Sequence, residues 1–291
     1  MKGKKLGIFV AITLVAFLFA GSFSLNVSSS TNNAGQNSHN TAIMSDAAGT
    51  VPASSTQRAS DNWAGYVVSS NFSNSQPVFW EVDGSWVVQT VTPQFSGQTY
   101  ESSQWIGIGG WFNGAMIQTG TESNANGNGG TSYYAWYEMI PTATQAGNST
   151  SVIISKMTIH QGDIIDASIY EAGSSSEWTI FIYDTTTGQY YQNNFGYSPD
   201  MRSAEWIDER PYDTNTGTYY PLAYFGTAYF GPQYTNGYSN RGYDTNGYIY
   251  DINSLPNYEL YIIDSSGNML AQASALGSDG NSFTVTWYAS T

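Results

Sequence analysis

From Trp63 to the end of the chain, short runs of apolar, aromatic and β-branched residues alternate with turns rich in Gly, Asn, Asp and Ser. No segment shows the sustained apolar stripe of an amphipathic helix. The runs predicted as strands are Val78–Val82, Gly84–Val91, Tyr133–Ile140, Val152–His160, Ile164–Tyr170, Trp178–Tyr183, Tyr190–Phe195, Ala204–Ile207, Tyr258–Ile263, Met269–Ala273 and Phe283–Tyr288. Many short strands at regular spacing predict an all-β sandwich or barrel, with Pro232–Ser254 as its longest loop.

The segment from Trp105 to Gly120 carries the signature of a β-hairpin. The runs Trp105–Ile108 and Ala115–Thr119 flank a connection rich in Gly and Asn. Alternation in the second run places Met116 and Gln118 on one face and Ile117 on the other. Gln118 is therefore an uncharged amide among apolar neighbours, where burial is costly unless its hydrogen bonds are made. The alternative is a sheet-edge glutamine whose amide lies in water.

The amino-terminal region predicts an exported protein. Met1–Lys5 contains three lysines, Leu6–Ala20 is almost wholly apolar, and the small residues Gly21, Ser22 and Ser24 follow. This is the pattern of a cleaved secretory signal over residues 1–24, so we expect no membrane attachment after cleavage. Residues 25–58 are rich in Ser, Asn, Thr and Ala and predict a disordered leader or prosegment. One folded domain is predicted over residues 59–291.

Composition and charge narrow the possible partners and the compartment. The chain contains no cysteine, so a secreted form must be stabilised by core burial alone, and thiol or zinc–thiolate chemistry is excluded. From residue 59 onward, four basic side chains face 21 acidic ones, a net charge of −17. That repulsion disappears when carboxylates are protonated, which favours an acidic extracellular medium. Nucleic acid is a poor partner for such a surface. We expect a monomer.

Most hydrolase classes can be tested by elimination. Outside the leader the chain has a single histidine, His160, in a run that predicts a strand end and turn, so a Ser-His-Asp site is disfavoured. No His-Glu-x-x-His motif and no pepsin-like Asp-Thr-Gly or Asp-Ser-Gly pair occurs. We therefore expect no metal and no cofactor. Abundant carboxylates and aromatic residues keep a lectin-like glycoside hydrolase or a carbohydrate-binding domain open as the alternative.

A second informative stretch runs from Ala204 to Arg210. Alternation places Glu205, Ile207 and Glu209 on one face, so Glu209 shares its face with an apolar residue. Burial of Glu209 would raise the pKa of its carboxyl, as in a general acid or base. The alternative is a solvated glutamate at a strand end.

Six blocks resemble, in order and spacing, the glutamic peptidases, also called eqolisins. They run from residue 62 to about residue 230, and any one of them alone would be weak. The blocks are Asn62-Trp63-Ala64-Gly65, Trp105-Ile106-Gly107-Ile108-Gly109-Gly110, Ile117-Gln118-Thr119-Gly120, Tyr134-Ala135-Trp136-Tyr137-Glu138 with Pro141, Gln161-Gly162-Asp163, and Ala204-Glu205-Trp206-Ile207-Asp208-Glu209.

The resemblance implies a lectin-like (concanavalin A-like or jelly-roll) sandwich of two antiparallel sheets and an endopeptidase active in acid on protein or peptide substrates. It implies Gln118 and Glu209 as the catalytic pair. Glu209 would take a proton from the attacking water and return it to the leaving nitrogen, while Gln118 would donate to the oxyanion. The residues that would line the substrate cleft are Trp63, Trp105, Glu122, Trp136 and Glu138.

Two positions depart from the family pattern. Gly109 stands where the family often has an aspartate, and Glu122 is the candidate that compensates for it. Arg210 follows Glu209 where the family has an acid, and it would lower the pKa of Glu209 if the two side chains approached each other.

Overall fold

The computed structural model describes residues 55–69, 78–95, 97–112, 115–141, 151–173 and 176–291, all within the unit Gln36–Thr291. The predicted signal at 1–24 lies outside the described residues, as does most of the predicted leader. In the part of the chain that the structure describes, no helix is long and apolar enough to cross a membrane.

Strands dominate the described residues. They are β1 Thr56–Ser60, β2 Trp63–Ser69, β3 Phe79–Val87, β4 Tyr100–Gly109, β5 Met116–Ala125, β6 Thr131–Ile140, β7 Val152–Ile153, β8 Ile164–Glu171, β9 Glu177–Asp184, β10 Tyr190–Gly196, β11 Ser203–Glu209, β12 Tyr212–Asp213, β13 Thr218–Tyr219, β14 Thr227–Phe230, β15 Arg241–Asp244, β16 Ile249–Asp251, β17 Asn257–Ile263, β18 Met269–Ala273 and β19 Phe283–Trp287. A short helix, α1 Pro232–Thr235, and a 3₁₀ turn, Ile252–Ser254, complete the described elements.

The strands form two layers. The front sheet has the order β7–β6–β5–β4–β11–β2–β17–β1. The back sheet has the order β10–β9–β8–β3–β14–β19–β18–β17, and the β15–β16 hairpin pairs with β3 beside β14. Strand β17 joins the two layers, because its first half pairs with β2 and its last residues pair with β18. Every pairing named here is antiparallel except β1 with β17.

The main core lies between the two sheets. Tyr66, Ile106 and Trp206 enter it from the front sheet, and Trp86 and Phe230 enter it from the back sheet. Successive side chains along a strand point to opposite faces of the sheet, so alternate residues of these strands enter the core. The predicted all-β sandwich of two antiparallel sheets is confirmed. The predicted hairpin is also confirmed, since β4 and β5 pair from Tyr100–Ala125 to Gly109–Met116.

Three predictions about elements need correction. Strand β1 begins at Thr56, inside the range predicted as leader, because its backbone pairs with β17. The run Val152–His160 is a strand only at Val152–Ile153, since turns replace the ladder after it. The segment Pro232–Ser254 is no plain loop: it contains α1, β15 and β16, and β15 pairs with β3.

Candidate active site

We call the face of the front sheet that points away from the main core the outer face. It carries a separate apolar cluster, the outer cluster. Its buried members are Trp63, Val67, Trp105, Trp111, Met116, Trp136, Ile140, Ile207, Tyr258 and Leu260. Trp63 and Trp105 meet edge to face, with ring centroids 5.1 Å apart. Such indole pairs give a rigid apolar frame whose N–H groups still need acceptors.

Gln118 and Glu209 both project from this outer face. Gln118 on β5 pairs with Gly107 of β4, and Glu209 on β11 pairs with Ser103, which is also in β4. Ser103 and Gly107 are an even number of residues apart, so their partners project on the same side of the sheet. Both side chains are fully buried. The structure therefore brings the two predicted catalytic residues to one face, diagonally across β4.

Three N–H groups converge on the Glu209 carboxyl. Trp105 Nε1 donates to Oε2 at 2.7 Å, while Asn62 Nδ2 and Trp63 Nε1 donate to Oε1 at 2.8 and 3.3 Å. Hydrogen bonds of this kind favour the ionised form of a buried carboxyl. The predicted cleft residues Trp63 and Trp105 thus bind the candidate base directly.

Burial nonetheless controls the acidity of Glu209. It raises the pKa of this carboxyl to about 7, and the hydrogen bonds from Trp105, Trp63 and Asn62 act in the opposite direction. Arg210 does not lower it, contrary to the expectation from sequence. Its Nε donates to Tyr220 O at 2.7 Å and its guanidinium lies over the Tyr219 ring.

The Gln118 amide is oriented by Glu138. Gln118 Nε2 donates to Glu138 Oε2 at 3.0 Å, between directly paired positions of β5 and β6. Gln118 Oε1 is buried without a hydrogen-bond partner in the described structure. Burial, and then the charge of Glu209, raise the pKa of Glu138 well above its ordinary value. Glu138 is therefore neutral in acid, and it lies close enough to Glu209 for the charge of Glu209 to raise its pKa.

Glu122 continues the row of acids on the outer face. It pairs with Ser103, which itself pairs with Glu209, so the three positions form one line across β5, β4 and β11. Burial, and then the charges of Glu101 and Glu209, raise the pKa of Glu122 well above its ordinary value. Trp136 Nε1 donates to Ser103 Oγ at 3.0 Å. All five predicted cleft residues thus lie on the outer face around Gln118 and Glu209.

The Gly109 position explains the missing family acid. Gly109 ends β4 with φ +89°, and a Cβ there would lie 2.2 Å from Ala115 O and 2.6 Å from Asp200 O. No aspartate fits on this backbone, because L side chains avoid positive φ and the two carbonyls occupy the space. Glu122 supplies a buried carboxyl elsewhere on the same face.

Sequence reasoning missed two neighbours of Glu209. The sequence indicates Asn62 only as part of a motif, and it gives no sign of Tyr219. Tyr219 lies on β13, after the β12–β13 turn. Burial, then the charge of Asp61 and then the charge of Glu209 raise the pKa of Tyr219. The contact between Asn62 and Glu209 spans 147 positions of the chain, so no local pattern indicates it. The one signal in the sequence is that Asn62 directly precedes Trp63, a predicted cleft residue.

His160 is an exposed turn residue, as predicted, and its backbone N–H donates to Asp163 Oδ2 at 2.7 Å. Among the described residues, no group of three or more His, Cys, Asp or Glu side chains is arranged to hold a metal ion.

Comparisons with known proteins bear on the family and the fold of this chain. The profile of the Peptidase A4 family matches residues 61–284. Aspergillopepsin-2 of Aspergillus niger is 30% identical over 172 residues, which cover 52% of this chain and 56% of that protein. The chain thus matches little more than half the length of this curated relative.

Solved structures show the same fold. A scytalido-glutamic peptidase with a transition-state analogue inhibitor matches with a TM-score of 0.60 at 21% identity, over 78% of this chain and 98% of that one. SCP-B, described as a member of the eqolisin family in complex with the tripeptide Ala-Ile-His, matches with a TM-score of 0.56 at 21% identity over the same shares of each chain. The predicted resemblance is confirmed, and the chain belongs to the Peptidase A4 family.

Proposed function

We propose that this protein is a secreted endopeptidase, active on the acid side of neutrality, that cleaves peptide bonds with Glu209 and Gln118. The observation that carries the proposal is the convergence of one donor-bound carboxyl and one oriented carboxamide on a single buried face. Family membership and the peptide complex described for SCP-B support a peptide as the substrate.

In this mechanism Glu209 acts on the attacking water. Its carboxylate takes one proton as the water oxygen bonds to the scissile carbonyl carbon, which leaves an oxyanion. The proton then passes to the leaving nitrogen as the carbon–nitrogen bond breaks, so the products are an acid and an amine. Both side chains are fully buried, so a bound peptide has to displace the groups that cover them.

Gln118 supplies the donor for the oxyanion. A carboxamide carries two N–H groups, and the structure commits one of them to Glu138. The other can donate to the developing charge, an interaction that contributes about 3–4 kcal/mol at comparable sites. Because an amide does not titrate, its donor strength is unchanged in acid.

The protonation states of the face predict how the rate depends on pH. Glu122 and Glu138 are neutral in acid because their pKa values lie well above the ordinary range. Glu209 is bound by three N–H donors that favour its ionised form, so we expect it to ionise before Glu122 and Glu138. A base mechanism then predicts that kcat/KM rises about tenfold per pH unit up to the Glu209 pKa. A profile that stays flat in acid would show that Glu209 begins as the proton donor.

The remaining attributes of the proposal come from sequence. The net charge of −17 beyond residue 59 and the signal-like amino terminus support secretion into an acidic medium, with no membrane or nucleic-acid partner. We propose a monomer that needs no metal or cofactor.

The test compares the wild type with Glu209→Gln and Gln118→Ala in casein digestion from about pH 3 to 7 with EDTA present. We expect both variants to lose activity while remaining folded. Glu205→Gln is the matched control, because Glu205 is a fully buried glutamate on the same strand and face that the mechanism does not use. Full activity in both site variants would refute the assignment. Cleavage of glucan with no cleavage of protein would favour the glycoside-hydrolase alternative.

A further inference from the structure

The turn between β1 and β2 brings an amide into the Glu209 pocket. Asn62 in this turn is 1% exposed, and its Nδ2 lies 2.8 Å from Glu209 Oε1. Both backbone polar groups of Asn62 are hydrogen-bonded: its N–H donates to Ser60 Oγ at 3.3 Å, and its C=O accepts from Arg210 N at 2.8 Å. The residue is therefore fixed both to its own turn and to the residue that follows Glu209.

The orientation of the Asn62 amide is also determined. Ser60 Oγ donates to Asn62 Oδ1 at 3.4 Å, and the same hydroxyl oxygen accepts the backbone N–H of Trp63 at 3.0 Å. With Oδ1 turned to a hydroxyl, the Nδ2 donors face the Glu209 carboxyl. An amide held in this way can only donate to Glu209, so it favours the negative charge.

Asn62 differs from the other two donors, Trp63 and Trp105, because it takes no part in apolar packing. Trp63 and Trp105 belong to the apolar cluster of the outer face and pack against each other, so replacing either one also removes packing. Asn62 belongs to neither apolar cluster. Its amide contributes hydrogen bonds rather than apolar packing.

We propose that Asn62 is a positioning residue for Glu209: its side-chain amide fixes the carboxylate and stabilises its charged form without contacting the peptide bond. The proposal rests on the proposed function only for its effect on catalysis. Among the described residues, the titratable groups coupled electrostatically to Glu209 include Glu122 on β5, Glu138 on β6, Asp208 on β11 and Tyr219 on β13. None of them is replaced in the test, so their influence stays constant.

The first measurement needs no substrate. Two of the indoles, Trp63 and Trp105, bind Glu209, so tryptophan fluorescence is followed against pH, and the transition that Glu209→Gln abolishes is assigned to this carboxyl. We expect Asn62→Ala to move the midpoint upward by about one to two pH units, because a hydrogen bond to a charged group is lost. Ser102→Ala is the matched control: Ser102 Oγ donates to the neighbouring buried Asp208 at 2.8 Å, not to Glu209. We expect the control to leave this midpoint in place.

The second measurement is the pH profile of peptide cleavage. We expect the rising limb of kcat/KM to move with the fluorescence midpoint in Asn62→Ala, so that the rate at a fixed pH below it falls about ten- to a hundredfold. Asn62→Asp keeps the shape of the side chain but replaces the amide by an acid, and it should raise the midpoint at least as far. It serves as the second variant where the alanine variant folds poorly.

The outcomes separate the two proposals. An unchanged midpoint in folded Asn62→Ala and Asn62→Asp overturns the role of Asn62, whatever happens to the rate. A shifted midpoint in a protein that cleaves no peptide supports the role of Asn62 and overturns the peptidase assignment.

Discussion

Gln118 and Glu138 are directly opposed on β5 and β6, and the Gln118 amide donates to the Glu138 carboxyl at 3.0 Å. The amide proposed for the oxyanion is thus oriented by an acid other than the proposed base. Because Glu138 is neutral in acid, its role there is that of an acceptor and not of a charge. Removing the acceptor and removing the ionisable group are therefore separable experiments.

We predict that Glu138→Ala lowers kcat by about tenfold or more, because Gln118 loses the partner that orients it. Glu138→Gln keeps an acceptor oxygen of similar shape and should retain most of the activity. Steady-state kinetics on one peptide at one acidic pH tests both variants. Equal losses in the two variants would contradict an orienting role.

The buried acids predict a protein that is most stable in acid. Burial raises the pKa values of Glu122, Glu138, Glu205 and Asp208 well above their ordinary range. A carboxyl whose pKa is higher in the folded state stabilises the fold below its unfolded pKa of about 4. That stability is lost as the pH rises toward the folded value, by at most about 1.4 kcal/mol per pH unit for each group. Thermal unfolding followed by circular dichroism across pH measures the slope.

Glu205 isolates one part of this effect, because both of its carboxyl oxygens are buried without a hydrogen-bond partner in the described structure. We expect Glu205→Gln to unfold at a higher temperature than the wild type near neutral pH and to show a shallower pH dependence. Glu177→Gln, at an exposed position, is the control. A wild-type slope in Glu205→Gln would show that this carboxyl does not titrate as its burial implies.

Gly109→Ala should cost more stability than the same change at Gly188. Both glycines have positive φ, +89° and +77°, but a Cβ at Gly109 meets two carbonyl oxygens whereas one at Gly188 meets nothing within 4 Å. We expect about 1 kcal/mol from the backbone conformation at Gly188 and about 3 kcal/mol or more at Gly109. Urea unfolding measures the difference, and equal costs would mean that the chain around Gly109 relaxes freely.

Arg210→Met should leave the catalytic pH profile unchanged. The structure directs Arg210 to Tyr220 O and the Tyr219 ring and does not use it to lower the pKa of Glu209. We expect a loss of about 1 kcal/mol in unfolding free energy, since the partly buried Tyr220 carbonyl loses its charged donor. A downward or upward move of the rising limb would show that the guanidinium acts on Glu209 after all.

The sequence was sufficient for the facing of residues in the central strands, because period-2 patterning is local, but it did not predict β1, β15 or β16. It placed Met116 and Gln118 on one face, and the structure has Met116 in the outer cluster and Ile117 in the main core. It failed at Val152–His160, where apolar composition suggested a ladder that turns replace, with Ile154, Met157 and Ile159 still buried. Apolar residues in this segment cover the core without strand pairing.

The composition of the site was less predictable than its location. The donors to Glu209 come from β2, β4 and the turn before β2, and only the register of non-local pairs brings them together. Motif spacing identified the tryptophans and Gln118, but no local pattern indicates that Asn62 turns its amide toward a residue 147 positions away.

Strand β1 sets a limit on amino-terminal trimming. It lies along β17, with Gln57 bonded to Glu259 at 2.7 Å and Arg58 over the Tyr258 ring, and it leads directly into the turn that holds Asn62. We therefore expect that trimming of the amino terminus leaves the fold intact only if the cut falls before Thr56. Cleavage after Ser60 would release strand β1 and, with it, the Ser60 hydroxyl that orients the Asn62 amide.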